Sequence, residues 1–445
     1  MFILNKKSQS RNIFVLFLLA LLVRLTFIFF QNPNIDELIE DELLYWNSSI
    51  DYLYKGVIEE SILMERMHGF FLYSKILLLL SFKNIKIYLI IQSIIDAFSC
   101  VIIYKTGALI FPKQKIYICL SAIFSPLMII LSSQVLSETI FFFLFTIFLY
   151  FSITIIVEKN QLYFRLLLAG LFLGLSTSIR SITYPLVFLS LLPITVILLK
   201  KNIPKYKILI SGIIFIFFSL LPISTRILEN MKLYDTFSLT AQKGNHIAYW
   251  VVPSILTQTE KISRSEAIKI VNKVAEKYNI SENYFEKDRI LQKVGFEVLS
   301  KVNKFDIAYN WARGGFINLL APSILLDKNF RRLPHPSYYE TGNILLWLKL
   351  IFKNTEYHKY LFVLFIASIS SIFTLASLII GLIHIYRKNT ILFYVTILYI
   401  LYFLIITGPV LSPKYIFPIL PCIFLFQGVT FFKIINLFRS KPIEI

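Results

Sequence analysis

A chain of 445 residues with 57% hydrophobic and only 16% charged residues, against about 25% charged in an ordinary soluble chain, is neither disordered nor built round one water-soluble core. Its mean hydropathy of +0.70 arises from apolar runs of about 20 residues, the length that spans a bilayer, and indicates an all-α polytopic membrane protein. The net charge of +19 would suggest nucleic acid in a soluble protein, but loop lysines that set topology and attraction to anionic lipid headgroups account for it here, so membrane lipids and no nucleic acid are expected as partners. Cys100, Cys119 and Cys422 all sit in apolar runs and read as buried small residues rather than a disulfide set. The sequence holds no Cys/His zinc spacing and no Gly-rich phosphate loop.

The first apolar run covers 12–30. Lys6, Lys7 and Arg11 precede it as in a signal peptide. The run is too long for an h-region, contains Arg24 and offers no small-residue cleavage site, so an uncleaved first span is expected. Further spans are predicted over 86–110, 116–133, 137–157, 165–181, 183–199, 208–226, 359–386, 391–408 and 415–436, ten in all. The apolar stretch 70–82 is too short to cross and reads as re-entrant or interfacial.

Lys and Arg in short connections set the orientation. Lys113 and Lys115, Lys159 and Arg165, Lys200, Lys201, Lys205 and Lys207, and Arg387 and Lys388 all fall on the side of the basic N-terminus and of Arg439 and Lys441. With that side cytoplasmic, two long segments lie outside. The predicted organisation is an N-terminal transmembrane module, 1–226, containing the first outer loop, 31–85; an extracytoplasmic helical loop domain, 227–358; and C-terminal transmembrane helices, 359–445. In the large loop, Ala267, Ile270, Val271, Val274 and Ala275 recur at helical spacing, continued by Ile290, Val294, Val298 and Leu299, and Ser263 with Glu266 forms a capping box. A small helical cap is expected there. No inverted internal repeat of the transporter kind is present.

Candidate chemistry begins in the first outer loop, where Asp36, Glu37, Glu40, Asp41 and Glu42 fall within seven residues. Beyond them Leu43, Trp46, Ile50 and Leu53 recur at i, i+3, i+7 and i+10, which predicts an amphipathic helix lying in the interface plane. Asp41 stands at its N-terminus, where the helix dipole favours an ionised carboxylate. It suits a general base or metal ligand; a solvated acidic turn that caps the helix is the plain alternative. Glu138, in Leu136-Ser137-Glu138-Thr139-Ile140, opens an apolar run on the outer side and must face the bundle, water or a partner; a helix N-terminal acid is the plain alternative. Arg180 closes the run Gly170 to Ile179, also outside. Its planar fork suits phosphate, and snorkelling to the headgroups is the alternative. Lys414, in Ser412-Pro413-Lys414-Tyr415, and Arg66, in Glu65-Arg66-Met67-His68-Gly69, add cations at outer helix ends. Together these groups suit a reaction at the membrane face on an anionic, lipid-borne substrate. Asp96 lies inside a span, and the sequence identifies no partner for it, since Lys105 is nine residues away and too far for a same-helix pair.

The chain resembles the GT-C-type glycosyltransferases, the integral-membrane class that uses polyprenyl-phosphate-linked sugars and includes protein O-mannosyltransferases and bacterial lipid A aminoarabinose transferases. Asp41-Glu42-Leu43-Leu44-Tyr45 is similar to the family's Asp-Glu-x-x-Tyr. Ser137-Glu138 before an aromatic-rich span is similar to its Ser-Glu element. The Gly170 to Arg180 run resembles its Gly-rich segment ending in Arg, and Lys414-Tyr415 with Pro418 and Pro421 resembles its Arg-Tyr-x-x-Pro-x-x-Pro. Lysine replaces arginine at 414, and His68-Gly69 replaces a proline-containing stretch. The resemblance covers most of the transmembrane part and, loosely, Arg226 to Trp250.

What the resemblance implies is a GT-C-like fold and an inverting hexosyl- or pentosyltransferase. It takes a polyprenyl-phosphate-sugar as donor, and a glycan, lipid or protein hydroxyl as acceptor. Asp41 and Glu42 are implied as catalytic, and Tyr45, Arg66, Glu138, Arg180, Lys414 and Tyr415 as binding the donor phosphate or substrate. A divalent cation on Asp41, Glu42 or Glu138 would be the cofactor. The enrichment in Ile, Lys, Asn and Phe fits an AT-rich genome and a bacterial inner (plasma) membrane, with the active site on the outer face. Two other classes share the many spans: a polymerase or ligase of lipid-linked oligosaccharide, with its chemistry in the large loop, and a non-catalytic transporter of lipid-linked saccharide, with ionisable residues along a mid-membrane path. A cysteine substituted at position 41 is expected to react with a membrane-impermeant maleimide added outside intact cells. Labelling only from the side of the lysine-rich short connections would overturn this topology.

Overall fold

The computed structural model describes residues 2–158, 160–279, 281–336, 341 and 344–439, and every regular element among them is a helix. Lys159 and Lys441, two of the basic residues that orient the chain, lie outside the described residues. The helices are α1 (Phe2–Gln31), α2 (Glu40–Lys55), α3 (Glu60–Glu65), α4 (His68–Leu80), α5 (Ile85–Ile110), α6 (Lys115–Ile123), α7 (Pro126–Ser132), α8 (Glu138–Val157), α9 (Leu162–Ile179), α10 (Tyr184–Leu189), α11 (Leu191–Lys200), α12 (Lys205–Leu220) and α13 (Ser224–Tyr234). They continue as α14 (Lys243–His246), α15 (Val252–Thr259), α16 (Arg264–Ala275), α17 (Tyr284–Leu299), α18 (Lys304–Leu320), α19 (Lys328–Arg331), α20 (Ile344–Lys353), α21 (His358–Lys388), α22 (Thr390–Thr407) and α23 (Leu420–Arg439). Among the described residues, nine helical stretches are long and apolar enough to cross a membrane, and a tenth results if α6 and α7 count as one bent span. The chain forms two compact units: Met1–Arg226 with Ala376–Tyr399 and Phe417–Ile445, and Ile227–Leu375 with Ile400–Ile416.

The 70–82 stretch becomes α4, whose 13 residues reach about 20 Å and fall short of a hydrocarbon core about 30 Å thick. The span expected over 116–133 is not one straight helix. It is two helices, α6 and α7, bent by 48° across Phe124 and Ser125. Pro126 has no N–H to give and its ring disfavours a continuing helix, while the Ser125 hydroxyl accepts from the Met128 amide and starts α7 afresh. The bent pair runs antiparallel to α5. At one end the Cys119 thiol donates to the Cys100 carbonyl (3.4 Å), and at the other the Gln92 amide donates to the Ser132 carbonyl (3.0 Å).

The break leaves carbonyls at the end of α6 without a helical partner, at a depth where no lipid can supply one. Arg24 supplies it. Leu16, Ala20, Arg24 and Ile28 form the buried stripe of α1 at the four-residue spacing of one helix face. From that stripe the Arg24 guanidinium donates to the Ile123 carbonyl (2.6 Å), the Ala122 carbonyl (3.2 Å) and Asp96 Oδ2 (2.8 Å). Asp96 therefore does have a partner, on another helix and 72 residues away. Elsewhere in this unit α9 and α12 approach backbone to backbone. A Cβ on Gly170 would lie 2.6 Å from the Phe215 carbonyl, and one on Gly174 2.3 Å from that of Ser219, the small-xxx-small packing of membrane helices.

In the second unit the expected capping box is present, with Ser263 and Glu266 bonded reciprocally. Ala267, Val271, Val274 and Ala275 of α16 join Val294, Val298 and Leu299 of α17 and Val251, Val252, Ile255 and Leu256 in one apolar cluster. Ile270, expected on the same face, is 37% exposed, because α17 meets the side of α16 that carries Val271 and Val274.

Replacing Arg24 with Met leaves Asp96 as an uncompensated buried charge and takes away the side-chain donor of the Ile123 carbonyl, while Ala122 keeps the Ser125 amide. A loss of about 3–5 kcal/mol is expected when unfolding is measured in detergent micelles. An unchanged unfolding midpoint would show that Arg24 does not hold the broken span.

Candidate active site

The turn into α2 is made by Ile39 in extended conformation, followed by Glu40 at φ +50°. For a residue with a Cβ that conformation costs roughly 1–3 kcal/mol, and it fixes how the first turn of α2 leaves the loop. Asp41 and Glu42 follow and point different ways. The Asp41 carboxylate is 43% exposed and meets the Arg66 guanidinium at 3.2 Å. Glu42 is buried, and its Oε1 accepts from the Val135 amide at 3.1 Å.

The buried face of α2 is Glu42, Tyr45, Trp46, Ser48 and Ser49. The face packed on the protein is not the predicted apolar stripe of Leu43, Trp46, Ile50 and Leu53, which an interfacial helix turns toward lipid: Leu43 is 42% exposed, Ile50 and Leu53 are half-buried, and only Trp46 is shared. The reason is aromatic packing from α4 and α5. The Tyr45 ring lies 4.5 Å from Phe70 and 6.0 Å from Phe71, and Trp46 meets Tyr88 edge-on at 5.6 Å. These contacts, with the Glu42 bond, turn the helix away from the face that apolarity alone selects.

Arg66 sits in the two-residue break between α3 and α4, its own amide bonded to the Ile62 carbonyl at 2.7 Å. A second arginine braces that break, because buried Arg226 donates to the Leu63 carbonyl at 2.7 Å. α4 then runs hard against the end of α9. A Cβ on Gly69 would lie 2.5 Å from both the carbonyl and the hydroxyl of Ser178, so only glycine allows this approach. Two residues on, α9 ends, and Arg180 stands extended at its C-cap (φ −143°, ψ 119°). Its guanidinium reaches Glu138 Oε1 at 2.6 Å and lies over the Phe141 ring at 5.9 Å.

Glu138 is held by the turn before it. The Gln92 carboxamide donates to the carbonyls of Ser132 (3.0 Å) and Gln134 (2.8 Å), and Glu42 accepts from Val135. The Glu138 carboxylate is 5% exposed, whereas Arg180 is 32% exposed. Tyr45 lies within electrostatic reach of both ion pairs. Burial pushes its phenol above the ordinary tyrosine value, Arg66 and Arg180 lower it, and Glu138 and Asp41 raise it, so the hydroxyl is protonated at neutral pH.

The structure thus gathers Asp41, Glu42, Tyr45, Arg66, Glu138 and Arg180 in the first unit. Lys414 and Tyr415 belong to the second unit. There the Lys414 amide donates to the Ser412 hydroxyl at 3.3 Å, and Tyr415 packs against the apolar cluster of α15 to α17. Gln92 and Arg226 are the contributors that motif reading misses. Gln92 carried one signal, a carboxamide one helical turn before Asp96 in an apolar run. Among the described residues no group of three or more His, Cys, Asp or Glu side chains is placed to hold a metal ion. Asp41 and Glu138 each face a guanidinium, and Glu42 accepts from a backbone amide.

No protein-family model and no curated protein matches the chain. Among solved structures it is similar to ArnT from Cupriavidus metallidurans in the apo state, with 9% identity over 95% of this chain and 78% of that one and a TM-score of 0.41. It is also similar to ArnT from the same organism bound to undecaprenyl phosphate, with 9% identity over 93% and 77% of the two chains and a TM-score of 0.41.

The Gly69 contact yields a sharp comparison. Gly69→Ala is expected to destabilise the protein in detergent by about 1–3 kcal/mol through overpacking. Gly212→Ala, whose Cβ meets nothing closer than 3.7 Å, is expected to be tolerated. Equal unfolding midpoints for the two variants would show that α4 and α9 do not depend on this approach.

Proposed function

We propose that the protein is a membrane glycosyltransferase that moves a sugar from a polyprenyl-phosphate donor to an acceptor hydroxyl at the outer membrane face, inverting the anomeric centre. One observation carries the reading: three acids converge on one place, and only Asp41 is open to a substrate, while Glu42 and Glu138 are consumed in holding the site.

In the reaction, an Asp41 carboxylate oxygen takes the proton of the acceptor hydroxyl. The acceptor oxygen forms its bond to the anomeric carbon as the bond from that carbon to the phosphate oxygen breaks, and the electron pair leaves with the polyprenyl phosphate. Arg66 fixes the carboxylate's orientation through its hydrogen bond. This pair is partly exposed and worth about 0–1 kcal/mol of stability, so its part is geometric. Negative charge grows on the departing phosphate. Arg180, one-third exposed and steered by buried Glu138, presents a planar donor fork that suits it. Tyr45, kept neutral, remains a hydrogen-bond donor beside both pairs.

The test is sugar transfer by the purified protein in proteoliposomes supplied with polyprenyl-phosphate-linked sugars and a panel of hydroxyl acceptors. Asp41→Asn is expected to lower kcat by about 10²–10⁴-fold while leaving binding of the lipid phosphate in place. Arg180→Ala is expected to cost about 3–4 kcal/mol of barrier. Near-normal turnover by Asp41→Asn would remove Asp41 as the base and move that role to Asp36.

A further inference from the structure

We infer that Gln92, in the second turn of α5, is a positioning residue for this site: its carboxamide clamps the turn between α7 and α8 and thereby aims Glu138, and through it Arg180, at the reacting phosphate. The inference rests on the glycosyl-transfer reading above.

Gln92 is completely buried. Its Nε2 donates to two carbonyls, those of Ser132 at 3.0 Å and Gln134 at 2.8 Å. Two carbonyls can only accept, so the orientation of the amide is fixed by its partners rather than chosen. The arrangement leaves Oε1 buried with no hydrogen-bond partner among the described residues. A buried unpaired oxygen is costly, and an apolar residue of similar volume would avoid it if Gln92 only filled space. The two donated bonds are what this side chain gains in return.

Both bonds fall on one short segment. Ser132 is the last residue of α7, whose terminal carbonyls have no helical partner, and Gln134 lies four residues before Glu138. Glu42 grips the same turn from α2, at the Val135 amide. The Thr139 hydroxyl ties the start of α8 back to the Leu131 carbonyl at 3.3 Å. Glu138 then emerges with its carboxylate on Arg180. Gln92 touches neither Glu138 nor Arg180 through any hydrogen bond described, so its effect passes through the backbone of 132–137. A shift of about 1 Å in such a support is enough to impair a site.

The experiment uses the full chain in proteoliposomes, with Gln92→Leu and Gln92→Glu. Both keep the volume and remove the two N–H donors. kcat is expected to fall about tenfold to a hundredfold, the range that orienting partners carry. The double variant Gln92→Leu, Glu138→Gln is expected to be no slower than Glu138→Gln alone, since one acts through the other. Hydrogen exchange of the peptide 131–140 is expected to speed up in both Gln92 variants, and Ser93→Ala, on the adjacent position of α5, is expected to change neither readout. Losses that multiply in the double variant, or exchange over 131–140 that stays at the wild-type rate, would overturn the assignment. Should Gln92→Leu fail to fold, Gln92→Glu carries the same comparisons. A wild-type protein that transfers no sugar would sink the reaction while the exchange measurement still decides whether Gln92 holds the turn.

Discussion

The Arg24 guanidinium is the point on which the arrangement of the first unit depends. A transmembrane helix that breaks must satisfy its freed carbonyls from inside the protein, because hydrocarbon offers no donors. Arg24 meets that requirement at α6 with bonds to Ala122 and Ile123, and Asp96 balances its charge. An isolated arginine near mid-membrane costs at least about 2.5–3.5 kcal/mol, and neither residue would be tolerated without the other. The break in turn redirects α7, and the direction of α7 sets where Ser132 delivers the chain to the turn before α8. A buried ion pair is weak evidence for net stability. Here it is better understood as selecting one path for the chain out of several that an apolar sequence would allow.

The site itself combines two ion pairs of different character around Tyr45. Asp41 and Arg66 meet at the surface, where solvent screens them and either can exchange its partner for a substrate at little cost. Glu138 is buried against Arg180, where dielectric screening is weak and the pair holds its geometry. The more exposed partner differs between the two pairs: it is the acid in the first and the base in the second. The site therefore offers one accessible carboxylate and one accessible guanidinium, each backed by a less exposed counter-charge. A proton acceptor and an anion stabiliser are what a displacement with a phosphate leaving group requires.

Features set by local composition could be read from the sequence, and features set by distant partners could not. Apolar runs of bilayer length mark the spans, because burial in lipid demands apolarity on all sides. The Ser263–Glu266 capping box is visible because its two members are three residues apart. Asp41, Glu138 and Arg180 stand out as charges at helix ends. By contrast, the pairing of Arg24 with Asp96 crosses 72 residues, and uniform apolarity carries no periodic signal of which helix faces which. The rotation of α2 was hidden for a related reason. Leu43 and Ile50 are the more apolar choices for an inward face, yet the rings of Phe70 and Tyr88 and the amide of Val135 select Tyr45, Trp46 and Glu42. Aromatic and hydrogen-bond partners outweigh a few apolar contacts when the other face of the helix can rest in an interface that accepts apolar side chains.

Close backbone approach explains how exposed charges can still be held accurately. Arg66 and Arg180 are long side chains with much rotamer freedom, and each loses up to about 2 kcal/mol of entropy when fixed. That loss is smaller if the backbone at its base is already immobile. Gly69 lets α4 lie directly on Ser178, which joins the segment carrying Arg66 to the segment carrying Arg180, and Arg226 braces the α3 end of the same break. Gly170 and Gly174 fix α9 against α12 along its length. The rigid elements therefore reach the edge of the site, and only the terminal groups need ordering when a substrate arrives. Mobility confined to the last bonds of two arginines suits the reaction proposed above, whereas mobility in α4 or α9 would move Asp41's partner and Glu138's partner independently and, in that proposal, separate the proton acceptor from the leaving-group charge.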